Sequence, residues 1–271
     1  MSARARSVAA IAGTLFAVLA LGGSVIGVAY VARSHVSERQ QDAPQPKTLT
    51  PSDIALRSFA SVVLVSTADG SGKPLAFGSG FVVEEGVVVT NLHVLKGAST
   101  ATVRLVGDRA TATVEGVLAI DEKVDLVLLA AEKLSAAPMR LREGEDAAIG
   151  DEIFVVGNPK DLEGTFSTGV VSGKRVLGDV RMLQITAPIS DGSSGGPVLD
   201  REARVVGVAS SSLRDGQNLN FAVTGEYVAA LLRSRGEIRQ IAKVNRSKPA
   251  EGRGIDRIPV LRRLARLWPW R

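Results

Sequence analysis

Short apolar segments rich in β-branched residues recur along most of the chain and predict an all-β fold. Turns containing Gly, Asp or Lys separate them, and strands at this spacing indicate a sandwich or a barrel. The first group is Val62–Ser66, Ala76–Val83, Val87–Thr90, Ala101–Leu105, Thr111–Ala119 and Asp125–Ala130. The second group is Glu152–Gly157, Thr165–Ser172, Met182–Thr186, Val198–Leu199, Val205–Ala209 and Asn218–Val223. We therefore predict two six-stranded antiparallel β-barrels in tandem.

Two helices are predicted to flank the strands. The run Thr50-Pro-Ser-Asp53 is a helix-start signal, and a short helix should follow as far as Phe59. After the last strand, Val223–Arg235 places Tyr227, Val228, Leu231 and Leu232 on one helical face. That face should pack on the second barrel.

The N-terminus predicts a membrane anchor. Ser7–Ala32 is a run of 26 uncharged residues preceded by Arg4 and Arg6. It exceeds the roughly 20 residues that a spanning helix needs, and a cleaved signal peptide has a shorter apolar region of about 7–15 residues. Cleavage near Gly27-Val-Ala29 and, less favoured, a mitochondrial targeting segment remain alternatives. The predicted organisation is an anchor (1–33), a polar linker (34–50), a folded domain (51–235) and a basic tail (236–271).

Charge and composition narrow the function classes. From Arg233 onward there are twelve Lys and Arg against three Asp and Glu, so this end carries +9, whereas the preceding residues carry −4. The basicity therefore belongs to the tail, and we predict no nucleic-acid partner. In the tail, Ile258–Arg271 fits either an amphipathic helix on anionic lipid or a basic disordered segment. The absence of cysteine excludes disulfides, thiolate zinc sites and a cysteine nucleophile.

Candidate chemistry centres on a glycine-rich loop and one histidine. The loop Asp191-Gly-Ser-Ser-Gly-Gly-Pro197 offers Ser193 and Ser194, and His93 is the single imidazole in the folded domain. A serine and a histidine are the minimum for an activated hydroxyl nucleophile. Asp125 opens an apolar segment, where a carboxylate is costly unless it is paired, so it is the best orienting group.

Ser194 is the favoured nucleophile because glycines follow it and permit a tight backbone. The amides of Gly192, Ser193 and Ser194 should then converge as an oxyanion hole. In another serine protease, one such donor is worth roughly 3 to 4 kcal/mol. Asp121 and Glu122 lie in a polar turn and are expected to be solvated.

Seven segments in order resemble the HtrA/Deg branch of the chymotrypsin-like serine proteases, over about residues 52–235. They are Gly78-Ser-Gly-Phe, Thr90-Asn-Leu-His-Val, Asp125-Leu-Val-Leu-Leu, Gly157-Asn-Pro, Gly169-Val-Val-Ser-Gly, Ser194-Gly-Gly-Pro and Asn220-Phe-Ala-Val. The resemblance implies two perpendicular barrels with the site between them. It also implies that His93 is the base, Asp125 its orienter and Ser194 the nucleophile, and that Ser210, Ser211 and Ser212 pair with the substrate backbone. Members are commonly homotrimers.

The chain departs from the family pattern at three positions. Asp191 stands in the loop where Pro-Gly-Asn is usual before Ser-Gly-Gly, and its carboxylate either disfavours an oxyanion or faces solvent. Ser193 replaces the aspartate that pairs with a new N-terminus in digestive relatives. Pro188, six residues before the nucleophile, replaces the acid of trypsin-like pockets, so we expect cleavage after small or medium aliphatic residues. From the short region 67–76 we expect no long inhibitory loop, and from the short region after Val223 we expect no PDZ domain.

These features predict a membrane-anchored serine endopeptidase that needs no cofactor or metal. Its expected substrates are unfolded or damaged extracytoplasmic polypeptides, in a bacterial periplasm or at a cell surface. The alternative is a catalytically inactive, protease-like binding or scaffold module.

Overall fold

The computed structural model describes residues 49–144, 146–158, 163–212 and 219–245, and strands dominate this part of the chain. Helix α1 (Pro51–Phe59) precedes the first sheet, whose strands are β1 (Val62–Ala68), β2 (Pro74–Glu84), β3 (Val87–Asn91), β4 (Thr100–Leu105), β5 (Ala112–Thr113), β6 (Gly116–Asp121) and β7 (Leu126–Ala130). A 3-10 helix (Leu92–Leu95) follows β3.

The second half contains β8 (Glu152–Gly157), β9 (Thr165–Leu177), β10 (Val180–Ile185), β11 (Pro197–Leu199), β12 (Val205–Ser212) and β13 (Asn220–Thr224), followed by helices α2 (Glu226–Arg233) and α3 (Ile241–Asn245). The second group forms a closed barrel in the order β10-β13-β12-β11-β8-β9. The all-β architecture and the closed second barrel confirm the prediction. Short α3 was not predicted.

The first group differs from the predicted six-stranded barrel. It is a seven-stranded antiparallel sheet in the order β5-β4-β1-β2-β3-β7-β6, without closure between β5 and β6. The predicted strand Thr111–Ala119 is broken, because the Val114 amide bonds to Ala101 on one sheet edge and the Glu115 amide bonds to Ala130 on the other. Beyond the break, the outer edge of β6 pairs with Arg239 through two backbone hydrogen bonds with Val117, of 2.8 and 2.9 Å.

Alternation along the strands explains why they are apolar on both faces. In β8, Ile153 and Val155 point into the closed barrel, while Phe154 and Val156 join a layer shared with the first sheet. Phe81 of β2 lies in the same layer. Strands such as β8 therefore contribute to two cores, and the cleft between the sheets is supported by side chains that are themselves buried.

Helices α1 and α2 form where the sequence predicts them. Thr50 caps α1 through a capping box, in which its hydroxyl accepts from the Asp53 amide at 3.2 Å and the Asp53 carboxylate accepts from the Thr50 amide at 3.0 Å. In α2, Val228 and Leu231 are buried in the layer between the two sheets. The predicted apolar face is confirmed, but it packs on β6 and β7 as well as on β13, and so spans both sheets.

The predicted anchor, nearly all of the linker and the tail from residue 246 lie outside the described residues. In the part of the chain that is described, no helix combines the length and apolarity needed to cross a bilayer.

Candidate active site

His93 and Asp125 form a two-point contact. Asp125 Oδ2 lies 2.6 Å from His93 Nδ1, and Asp125 Oδ1 accepts a 2.9 Å hydrogen bond from the His93 backbone amide. Asp125 is buried, whereas the His93 side chain is about one-fifth exposed. Burying a carboxylate is costly unless it is paired, and here both oxygens have a donor. The contact fixes the position of the imidazole ring.

The backbone at Asp125 is left-handed, which corrects the prediction that this residue starts a strand. Its φ is +60°, and β7 begins one residue later. Such a conformation is unfavourable for a residue with a Cβ atom, so surrounding bonds must hold it. The Asp125 carbonyl accepts from the Leu92 amide at 2.9 Å and from the Asn91 side-chain amide at 3.0 Å. The connection that carries His93 thus also holds Asp125.

Ser194 lies on the loop between β10 and β11 and is partly exposed. Its hydroxyl donates to the Ser210 carbonyl of β12 at 3.1 Å. This bond uses the hydroxyl proton, which can leave the Ser210 carbonyl for another acceptor by rotation about the Cβ–Oγ bond. Ser193, the competing serine, is buried, and its Oγ accepts from the Ser190 amide at 3.3 Å. The loop thus exposes Ser194 in preference to Ser193.

Of the three backbone amides predicted to form the oxyanion hole, one is already hydrogen-bonded within the loop. The Ser193 amide donates to the Ser190 carbonyl at 2.9 Å and closes a turn, so it is not available to a substrate. Among the described residues, the amides of Gly192 and Ser194 have no hydrogen-bond acceptor. Gly192 has a φ of +95°, a conformation that glycine adopts without strain. These two amides remain available to an oxyanion.

Two buried polar residues of the site were not assigned a role from the sequence. The Ser79 hydroxyl donates to the Gly192 carbonyl at 2.7 Å and accepts from the Asn158 amide at 2.8 Å. Neither Ser79 nor Asn158 is accessible to solvent. Both lie in segments that carry the family resemblance, Gly78-Ser-Gly-Phe and Gly157-Asn-Pro. Their position in those segments is the sequence feature that could have indicated a role in the site.

The predicted substrate-binding residues lie in two places. Pro188 is exposed and adjoins a cavity of about 140 Å³, whose other lining residues are Val155, Gly157, Thr165, Ser167, Ile189, Ser190 and Ser193. Ser210, Ser211 and Ser212 form the end of β12. The Ser210 hydroxyl is buried, with no hydrogen-bond partner among the described residues.

Asp191 has an exposed side chain. Of the two interpretations that the sequence left open, the solvent-facing one agrees with this position.

Comparison with known proteins shows what the part of the chain that carries the site is similar to. Residues 78–208 match the family model described as a trypsin-like peptidase domain. The putative serine protease HhoB of Synechocystis is 32% identical over 178 residues, covering 59% of this chain and 41% of the relative. The anti-sigma-I factor RsgI9 of Acetivibrio thermocellus is 31% identical over 189 residues, covering 68% of this chain and 26% of the relative. The chain thus spans less than half the length of these curated relatives.

A solved structure matches over most of its length. The Rv3671c protease of M. tuberculosis in its active form superposes with a TM-score of 0.63 at 26% identity, covering 69% of this chain and 86% of that one. These similarities support a serine endopeptidase. Residues 78–208 are therefore similar to a trypsin-like peptidase domain, and the relatives of the chain include serine proteases of the HtrA type.

Proposed function

We propose that the chain is a serine endopeptidase of the HtrA/Deg type, with His93 as base, Asp125 as its orienter and Ser194 as nucleophile. The observation that carries the proposal is the buried Asp125 carboxylate held against both the ring and the backbone of His93. A histidine fixed in this way, in a chain that also carries a partly exposed serine on a glycine-rich loop, is suited to acyl transfer.

In the proposed reaction, Ser194 Oγ attacks the carbonyl carbon of the scissile peptide while His93 Nε2 takes the hydroxyl proton. Asp125 keeps the other ring proton on Nδ1 and stabilises the imidazolium. The tetrahedral oxyanion accepts hydrogen bonds from the amides of Gly192 and Ser194. His93 then protonates the departing amine, and a water molecule activated by His93 hydrolyses the acyl-enzyme.

Casein digestion by the full-length chain tests this proposal. The wild type should degrade casein, and Ser194→Ala should lower kcat on the order of 10⁶-fold, as the loss of a triad serine does in another protease. The far-UV circular dichroism and melting temperature of Ser194→Ala should match those of the wild type. A wild type that leaves casein intact would instead favour the inactive binding module.

We propose a preference for small or medium aliphatic residues before the scissile bond. Support comes from Pro188 at the position where trypsin-like relatives carry an acid, and from the absence of charge among the described residues lining the adjoining cavity. A peptide library should show cleavage after Ala, Val or Leu, and substitution of Ser212 should shift that preference. Strong cleavage after Arg or Lys would refute it.

The membrane and extracytoplasmic assignments are proposals from the sequence. The 26-residue uncharged run supports an anchor and the basic C-terminus supports contact with anionic lipid. Alkaline carbonate extraction should leave the full-length chain in the membrane pellet, and a chain beginning at Pro51 should be released.

Co-sedimentation with phosphatidylserine vesicles, comparing chains ending at Arg246 and Arg271, tests whether the tail binds anionic lipid. Light scattering tests the homotrimer that the resemblance implies.

A further inference from the structure

Ser79 joins three parts of the site through its side chain and backbone. Its hydroxyl donates to the Gly192 carbonyl at 2.7 Å, its amide donates to the Ser194 carbonyl at 2.9 Å, and its carbonyl accepts from the Thr90 hydroxyl at 2.7 Å. Ser79 belongs to the first sheet, while Gly192 and Ser194 belong to the loop between β10 and β11 of the second. One buried residue therefore links the nucleophile loop to the strand that precedes His93.

The direction of the Ser79 hydroxyl proton follows from its neighbours. The Asn158 backbone amide, 2.8 Å from Ser79 Oγ, can act only as a donor. The Ser79 proton must therefore point elsewhere, and the Gly192 carbonyl is the acceptor within reach. Asn158 is itself held, because its side chain donates to Val63 at 3.1 Å and accepts from the Gly164 amide at 3.0 Å.

This bond fixes one peptide plane of the loop at both ends. The carbonyl of the Gly192–Ser193 peptide accepts from Ser79, and its N–H donates to the Ser190 carbonyl at 2.9 Å. Gly192 would otherwise have wide conformational freedom at its φ of +95°. With this plane fixed, the amides of Gly192 and Ser194 on either side of it have little freedom to reorient.

We propose that Ser79 is a positioning residue for the oxyanion hole, acting through the Gly192 carbonyl. This inference rests on the proposed function, since an oxyanion hole is useful only to an acyl-transfer enzyme. The competing explanation is that the Ser79 hydroxyl only stabilises the fold. The two explanations differ in whether its loss alters the chemical step.

The test compares Ser79→Ala with Ser61→Ala in the full-length chain. Ser61 is a matched control because its buried hydroxyl also donates to a carbonyl, that of Ala137 at 2.6 Å, away from the loop. Ser79→Ala should lower kcat roughly 10- to 100-fold with little change in KM, because misplaced donors stabilise the transition state less. Ser61→Ala should leave kcat unchanged.

Binding of a peptide aldehyde, which forms a tetrahedral oxyanion adduct, is a second measurement. The aldehyde should bind Ser79→Ala more weakly than wild type, in the same proportion as the loss in kcat/KM.

Amide hydrogen exchange provides a readout that does not depend on turnover. The Ser193 amide should exchange about tenfold faster in Ser79→Ala than in wild type, because the peptide plane loses one of its two bonds. In Ser61→Ala its exchange should be unchanged. Unaltered kcat in Ser79→Ala would overturn the proposal, whether or not the exchange of the Ser193 amide changes. A wild type without peptidase activity would refute the proposed function, and the exchange experiment alone would still decide whether Ser79 orders the loop.

Discussion

Asp125 holds His93 by its ring and its backbone at once, with Oδ2 2.6 Å from Nδ1 and Oδ1 2.9 Å from the main-chain nitrogen. The residue that makes both contacts has a left-handed backbone at φ +60°. A single carboxylate therefore sets where the imidazole lies, how it is turned and which nitrogen carries the proton. If the site works as proposed, this pair should be the most sensitive point in the chain after the nucleophile.

The first prediction concerns the charge of that carboxylate. Asp125→Asn preserves the shape of the side chain but can stabilise the wrong imidazole tautomer, so kcat should fall on the order of 10⁴-fold. The measurement is peptide hydrolysis under saturating substrate. Asp121→Asn is the control, because the Asp121 carboxylate accepts from the Lys123 amide at 2.9 Å in a turn next to the site. Equal losses in the two variants would contradict the assignment of Asp125.

The second prediction separates the two serines of the loop. The Ser193 hydroxyl makes a long 3.3 Å contact as an acceptor, and the turn is closed by the Ser193 backbone amide. Ser193→Ala should therefore keep kcat/KM within about threefold of wild type, since a weak hydrogen bond contributes little. Steady-state kinetics on a fluorogenic peptide measure this. A loss comparable to that of Ser194→Ala would mean that the nucleophile has been assigned to the wrong serine.

The third prediction tests whether Asp191 lowers activity. Its side chain is exposed, and water and salt screen charges at the surface. Asp191→Asn should therefore change kcat by less than about threefold, a change that 0.5 M salt should also leave small. Kinetics at low and high ionic strength provide the measurement. An increase of tenfold or more in kcat would show that the carboxylate opposes the anionic transition state.

The fourth prediction concerns the glycine that follows the nucleophile. Gly195 has a φ of +88°, and a Cβ atom there would lie 2.1 Å from the Ser79 carbonyl oxygen and 2.4 Å from the Thr90 hydroxyl oxygen. Gly195→Ala should displace the loop, abolish peptide hydrolysis and lower the melting temperature.

Gly70→Ala is the matched control for this substitution. A Cβ atom at Gly70 meets only the Ser99 hydroxyl oxygen, at 3.5 Å, and the backbone there is not left-handed. This variant should keep full activity. An active Gly195→Ala enzyme would contradict the described packing of the loop.

The sequence predicted elements whose signals are local. The capping residues Thr50 and Asp53 defined the start of α1, and alternating β-branched segments located most of the strands. The edge of the first sheet depends on a contact between residues that are far apart in the chain. Strand β6 pairs with Arg239, more than a hundred residues later, and no pattern within Thr111–Ala119 reveals that contact. The same reason explains the misplaced start of β7, because the backbone of Asp125 is held by bonds from the His93 segment.

The candidate site was predictable in its chemistry and less so in its hydrogen bonds. A lone histidine, a carboxylate opening an apolar segment and a serine before two glycines were each visible in the sequence. The engagement of the Ser193 amide by Ser190, and the contact of Ser79 with Gly192, depend on how the loop folds back on itself and on β2. Such contacts join residues far apart in the chain or depend on one turn geometry, and neither is encoded in residue spacing.

The most direct test is to label the full-length chain with a fluorophosphonate and to locate the adduct by peptide mass spectrometry. We expect a single adduct on Ser194 in the wild type, greatly slowed labelling in His93→Ala and Asp125→Asn, and normal labelling in Ser193→Ala. Absence of an adduct in the wild type, or an adduct on Ser193, would contradict this expectation.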